Sequence, residues 1–149
     1  MKRSVLVIED EVVLRRNIAI YLSREGFEVR AEGSGEAGLA AFDAQPCDVV
    51  LADYQLPGMT GLEVLEAVKA RDPGVRVIIM TGSGDEDTVL AAFRLGASDY
   101  LKKPLQLATI GRVVEGQAQS LRLQRPPRAL RADDERFGIV GESDAVQRP

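Results

Sequence analysis

The chain has 149 residues, 19 of them Lys or Arg and 23 Asp or Glu, giving a formal net charge of −4 and a sequence pI near 5.0. With 45% hydrophobic and 28% charged residues it has the make-up of one globular domain that buries its own core, which excludes a disordered or collagen-like chain. The acidic balance argues against the broad basic surface needed for direct nucleic-acid binding, and the absence of histidine excludes Ser-His-Asp and Cys-His catalysis and any phosphohistidine carried by this chain.

The N-terminal sequence MKRSVLVIED holds an apolar run of about five residues that ends in acids, too short for a signal peptide or a membrane span. Cys47 is the single cysteine, so no intrachain disulfide forms; it reads as a small buried hydrophobe, and a cytoplasmic location is expected. Short β-rich runs then alternate with longer stretches of helical period, the signature of a parallel sheet with crossover helices. Strands are predicted over Ser4–Ile8, Phe27–Ala31, Asp48–Ala52, Val75–Met80 and Ser98–Leu101. Helices are predicted over Glu11–Glu25, Gly35–Ala44, Gly61–Arg71, Asp85–Leu95 and Gln106 to about Arg122, with Leu62, Val64, Leu65 and Val68 marking one apolar face. Gly26, Gly74 and Gly96 stand where three helices should stop, as left-handed C-terminal glycines. Right-handed crossovers on five parallel strands give a doubly wound α/β domain.

After Arg122 the apolar rhythm gives way to QRPPRALRADDER, where prolines and mixed charge predict a linker over 123–136. Its arginines alternate with acids and read as a solvated face rather than a nucleic-acid patch. The segment 137–149 is too short to be a domain of its own.

Parallel strands deliver their carboxyl ends to one edge, where a doubly wound sheet places its ligands. Glu9, Asp10 and Glu11 follow the first predicted strand, Asp53 the third, Thr81 and Gly82 the fourth, and Lys102, Lys103 and Pro104 the fifth. Crowded carboxylates repel one another unless a cation joins them, and Mg²⁺, a hard ion that takes carboxylates, waters and phosphate oxygens, suits this set. A carboxylate there can serve as nucleophile to form an aspartyl phosphate, with a hydroxyl and an ammonium holding phosphoryl oxygens. Strand alternation lets only one of Lys102 and Lys103 reach the site, and Lys103 is the choice. Taken singly, each residue has a plainer reading: Asp10 or Glu11 as a helix cap, Asp53 as a turn residue, Tyr100 as a half-buried aromatic on an edge strand.

The segments VLVIEDE, LADYQLPGMTGLEVL, IIMTG and GASDYLKKPL, in this order and spacing, resemble the receiver domain of two-component response regulators over residues 1–122. The resemblance implies a CheY-like, flavodoxin-like fold with strand order 2-1-3-4-5 and helices on both faces. It makes Asp53 the phosphoacceptor and Glu9 and Asp10 the acid pair, with Asp10 a direct Mg²⁺ ligand, Glu9 acting mainly through water, and Gln55 a ligand through its backbone carbonyl. It further implies that Thr81 binds the phosphoryl group, that Tyr100 changes rotamer with it, that Lys103 contacts the phosphoryl oxygens, and that the bond to Pro104 is cis. Glu9 departs from the family's commoner aspartate, and Gln55 and Ser83 occupy positions that influence how long the acyl phosphate survives. The partner implied is a sensor histidine kinase, and a homodimer through the fourth helix, fifth strand and fifth helix is expected.

The tail sequence FGIVGESDAVQR is similar to the segment that opens the ATPase domain of NtrC-type sigma-54-dependent activators, although no GxxxxGK loop occurs in the chain. The expectation is a receiver followed by the start of a truncated domain or a tail, either excised from a longer transcriptional activator or ending early. It would be a switch whose only catalysis is phosphoryl transfer to and from itself, not an enzyme acting on other substrates. Two other functions compete. A haloacid-dehalogenase-like phosphatase would need an acid where Gln55 stands and a nucleophile on the first strand. A phosphorylation-independent dimerisation module would not need the constellation at all. For the stripe Leu107, Ile110, Val114 and Leu121, packing on the sheet comes before a coiled coil.

Overall fold

The computed structural model describes residues 3–82 and 85–124, with side chains as far as residue 120. The expectations for Ser83, for the side chains of Leu121 and Leu123, and for the segments from 125 to 149 lie outside the described residues. In chain order the elements are β1 Ser4–Ile8, α1 Val12–Arg24, β2 Glu28–Glu32, α2 Gly35–Ala44, β3 Val49–Asp53, α3 Gly61–Arg71, β4 Arg76–Thr81, α4 Glu86–Arg94, β5 Asp99–Lys102 and α5 Leu107–Gln124. All four strand pairings are parallel and the sheet order is β2-β1-β3-β4-β5, the doubly wound arrangement expected.

The apolar alternation sorts the strand residues onto two faces. Val5, Val7, Val49, Leu51, Ile78, Met80 and Leu101 pack with Ile18 and Leu22 of α1 and with Ile110, Val114 and Ala118 of α5. Leu6, Ile8, Val50, Ala52, Val77 and Ile79 pack with Phe42 of α2, with Val64, Leu65 and Val68 of α3, and with Ala92 of α4. Ile110 and Val114 are completely buried and Leu107 lies against the same cluster, so this part of the α5 stripe belongs to the core. Cys47 is likewise buried, and its thiol donates to the Val49 carbonyl at 3.4 Å. Among the described residues no helix is long and apolar enough to cross a membrane.

Helix ends follow local chemistry. Ser34 accepts a hydrogen bond from the Ala37 amide at 3.1 Å, Asp85 from the Thr88 amide at 2.8 Å, and Thr60 forms a reciprocal capping box with Glu63. Gly26 and Gly96 adopt φ of +101° and +106°, the left-handed C-terminal conformation that side chains with a Cβ resist. Gly74 does not, contrary to the expectation. Asp72, whose αR conformation the following Pro73 disfavours, already takes an extended φ of −154° and ends α3, and its carboxylate accepts from the Gly74 amide at 3.1 Å.

β1 has the expected bounds, whereas β2 to β5 each run one residue further toward the carboxyl end than expected. Asp53, Thr81 and Lys102 are therefore the last residues of β3, β4 and β5 rather than members of loops. Residues fixed by a sheet ladder are placed more rigidly than residues on a loop.

Candidate functional site

The same alternation that builds the core aims the site. Glu9 continues the parity of Val5 and Val7, Asp53 that of Val49 and Leu51, and Lys103 that of Leu101, so all three fall on the α1/α5 side of the edge. Their polar ends meet there. The Lys103 ammonium donates at 3.0 Å to Glu9 Oε1 and at 3.0 Å to Asp53 Oδ2. One carboxylate oxygen from each of Glu9, Asp10 and Asp53 lies within 4.8 Å of the others. Lys102, one residue earlier, is exposed, as the alternation requires.

Glu9 is completely buried and Asp53 only 4% exposed, whereas Asp10 is open to solvent. Burial, opposed by the Glu11 amide and the Lys103 hydrogen bond and reinforced by the negative charge of Asp53, raises the Glu9 carboxyl to about 7. Burial alone would lower the Lys103 ammonium, but its hydrogen bonds to Asp53 and Glu9 outweigh that and the net shift is upward. The pocket thus holds three carboxylates against one ammonium.

Neither Asp10 nor Glu11 caps α1 with its side chain. Glu11 is the N-cap residue and makes no side-chain cap bond, and among the described residues the Asp10 carboxylate has no hydrogen bond or ion pair. The Glu11 amide is instead taken by Glu9 Oε2 at 3.0 Å. A carboxylate left open at a helix start that would gain from a cap is better matched to an external ligand than to local structure.

Asp53 Oδ1 accepts from the Gln55 amide at 3.4 Å, the Tyr54 amide donates to the Met80 carbonyl at 2.7 Å, and the Gly61 amide donates to the Tyr54 carbonyl at 2.8 Å. A Cβ at Gly61 would stand 2.4 Å from the Asp53 carbonyl oxygen and 2.8 Å from Tyr54 Cα, so α3 begins in direct contact with the backbone that carries Asp53. Both neighbours are main chain and cannot swing aside. Gly61→Ala is therefore expected to cost about 3 kcal/mol in urea unfolding and to displace the Asp53 amide resonance, while a change under about 0.5 kcal/mol would show that the contact yields.

Thr81 is 1% exposed at the end of β4, where its carbonyl accepts from the Lys103 amide at 2.7 Å. Its parity is that of Val77 and Ile79, opposite to that of Ile78 and Met80, so Thr81 stands on the α2/α3/α4 side of the sheet. Tyr100 is half-buried and pairs with Ile79, two residues before the Thr81–Lys102 pair, which makes Thr81 and Tyr100 diagonal neighbours on that side. The bond between Lys103 and Pro104 is cis. The site thus brings Glu9, Asp10, Asp53 and Lys103 together, while Thr81 and Tyr100 stand on the neighbouring strands β4 and β5 with the opposite parity. Residue-type reasoning had no means of finding Arg15, whose guanidinium donates at 2.9 Å to the Glu9 carbonyl from a turn of helix otherwise read only for its apolar positions.

Residues 5–115 match the family model described as the response regulator receiver domain. The chain is 37% identical over 128 residues to the transcriptional activator protein PfeR of Pseudomonas aeruginosa, covering 86% of this chain and 42% of that protein. It is 32% identical over 148 residues to the DNA-binding transcriptional regulator NtrC of Salmonella typhimurium, covering 99% of this chain and 32% of that protein. The chain thus spans well under half the length of both. Among solved structures, a response regulator receiver domain protein from Clostridium thermocellum superposes with a TM-score of 0.76 at 32% identity, over 81% of this chain and 98% of that one.

Proposed function

The chain belongs to the response regulator receiver domain family of two-component signal transduction, and from that membership we propose that it accepts a phosphoryl group onto Asp53 from a partner sensor histidine kinase. The observation that carries the reading is the convergence of Glu9, Asp10 and Asp53 around Lys103 at one sheet edge.

The donor set fits Mg²⁺: three carboxylates, all hard oxygen ligands, with the Asp10 carboxylate open to solvent and a buried Glu9 that holds its proton to about pH 7 with the Lys103 ammonium against its carboxyl. Glu9, Asp10, Asp53 and the Gln55 carbonyl would hold the ion, which supplies positive charge against the incoming phosphoryl oxygens.

On this reading a carboxylate oxygen of Asp53 forms a P–O bond as the P–N bond to the donor's imidazole breaks. The donor histidine is necessarily the partner's, since this chain has none. Lys103, already hydrogen-bonded to Asp53, balances charge gathering on the phosphoryl oxygens, and the Thr81 hydroxyl closes on them from the adjacent strand. Movement of Thr81 passes to its diagonal neighbour Tyr100 and so to the surface formed by α4, β5 and α5. There Leu90 and Phe93 of α4 are 50% and 46% exposed, which suits docking of a second copy or an output partner. The chemistry is self-directed, with hydrolysis of the aspartyl phosphate resetting the switch, and the regulated output is transcription, as in the relatives. The reading places the protein in the cytoplasm, with no membrane or direct nucleic-acid contact by this chain.

The test is intact mass after incubation with acetyl phosphate, with and without Mg²⁺. One phosphoryl adduct that requires Mg²⁺ is expected; no adduct on folded protein would favour a phosphorylation-independent interaction domain.

A further inference from the structure

We propose that Arg15 is a positioning residue for the acidic pocket, acting through the Glu9–Asp10 peptide, and that Gly33 is glycine because the Arg15 guanidinium lies across it. The proposal rests on the metal-binding reading of Glu9, Asp10 and Asp53 given above.

Every polar group of Glu9 is held. Its amide donates to the Glu32 carbonyl at 3.0 Å, Oε1 accepts from Lys103 at 3.0 Å, Oε2 accepts from the Glu11 amide at 3.0 Å, and its carbonyl accepts from Arg15 Nη1 at 2.9 Å. Only the last of these fixes the plane of the peptide joining Glu9 to Asp10. Asp10 needs that plane fixed, because its own carboxylate has no partner among the described residues and takes its direction from the backbone alone. Arg15 achieves this by reaching back from the first turn of α1, past its own helix start, to a carbonyl six residues earlier. A cationic donor at this place also forms the stronger, charge-assisted class of hydrogen bond.

Gly33 stands where β2 ends, and a Cβ there would lie 2.7 Å from Arg15 Nη1 and 3.5 Å from Cζ. Its φ is outside the left-handed region, so the backbone itself would accept alanine. The obstacle is the guanidinium, the far end of a flexible side chain. Alanine at position 33 would therefore push Arg15 off the Glu9 carbonyl rather than distort the sheet. Two substitutions on different elements should produce one defect.

The experiment uses the full chain and four proteins: wild type, Arg15→Ala, Gly33→Ala and the double variant. Mg²⁺ binding is followed by titration calorimetry at neutral pH and stability by thermal melting. Arg15→Ala is expected to raise the Mg²⁺ dissociation constant about tenfold, as loss of a group that orients metal ligands does. Gly33→Ala should do the same with its melting temperature within about 4 °C of wild type, and the double variant should bind no worse than Arg15→Ala. Arg15→Lys, which keeps a cationic donor, should recover part of the affinity. Unchanged Mg²⁺ affinity in Arg15→Ala, or additive losses in the double variant, would overturn the proposal, and a fall in stability without a fall in affinity would reduce Arg15 to a structural residue. Wild-type protein that binds no Mg²⁺ would remove the metal reading instead. The clash would then still be tested by the Asp10 amide resonance, which both single variants should shift alike and which overturns the proposal if they do not.

Discussion

Asp53→Asn is expected to abolish phosphoryl incorporation completely, leaving the intact mass unchanged by acetyl phosphate and Mg²⁺. The substitution preserves shape and removes the nucleophile, since a neutral amide oxygen does not displace a phosphoryl leaving group as a carboxylate does. It also removes one of three carboxyl groups whose oxygens stand within 4.8 Å of one another. Lys103 keeps its bond to Glu9, and the repulsion that Asp53 exerts on the Glu9 carboxyl disappears. The variant should therefore remain folded, with stability within about 1 kcal/mol of wild type at neutral pH. The same stable protein without an adduct assigns the chemistry to Asp53. An adduct that persists would move the acceptor elsewhere and break the functional reading. The haloacid-dehalogenase alternative fares poorly in this geometry, because Gln55 approaches Asp53 through its backbone amide and Asp53 ends the third strand, not the first.

Without divalent metal, stability is expected to fall as the pH rises from about 4.5 to about 7, and saturating Mg²⁺ should restore more of it at the upper end. The cause is Glu9. In the unfolded chain it ionises near the ordinary 4.5, whereas in the fold its burial holds the proton to about 7. Between those values the folded state binds the proton that the unfolded state has lost, so each step upward in pH favours unfolding. The full loss is about 3 kcal/mol, complete once both states are ionised. Lys103 acts oppositely and elsewhere: its raised value stabilises the fold below about pH 10.5 and that contribution vanishes only in stronger alkali. A divalent cation binds the ionised pocket, so Mg²⁺ competes with the Glu9 proton and its stabilising effect grows through neutrality. Thermal melts at several pH values, with and without Mg²⁺, measure both trends. Glu9→Gln removes the titration and should flatten the metal-free profile; a slope that survives in that variant would assign it to another group.

The fold was legible because its signals repeat. Five apolar runs, each followed by an amphipathic helix, define a parallel sheet without reference to any single residue, and α2 and α3 fall where their periods placed them. Gly74 misled because glycine is permitted many conformations, and the sequence does not show that Asp72, pressed by Pro73, ends the helix first. At the site, residue type and position after a strand were enough to find Glu9, Asp10, Asp53 and Lys103, since charge at the carboxyl edge of a parallel sheet has few structural uses. They were not enough to separate the capping reading of Asp10 from the ligand reading. That distinction came from Glu9 Oε2 occupying the Glu11 amide. Arg15 was invisible for a related reason: a long cationic side chain on an exposed turn resembles any other solvated arginine until its carbonyl partner is located.

The attachment of α5 carries one further consequence. The helix starts a few residues beyond Lys103, and near its other end Ser120 is hydrogen-bonded at 3.1 Å to Arg76, the first residue of β4, on the edge of the sheet away from Asp53. It therefore spans the sheet as a rod of 18 residues, about 27 Å long. A tilt of about 5° pivoting at its site end moves the far end by about 2 Å over such a length. An adjustment of β5 and Lys103 too small to register as a loop rearrangement thus reaches the opposite edge magnified, which makes α5 a lever arm.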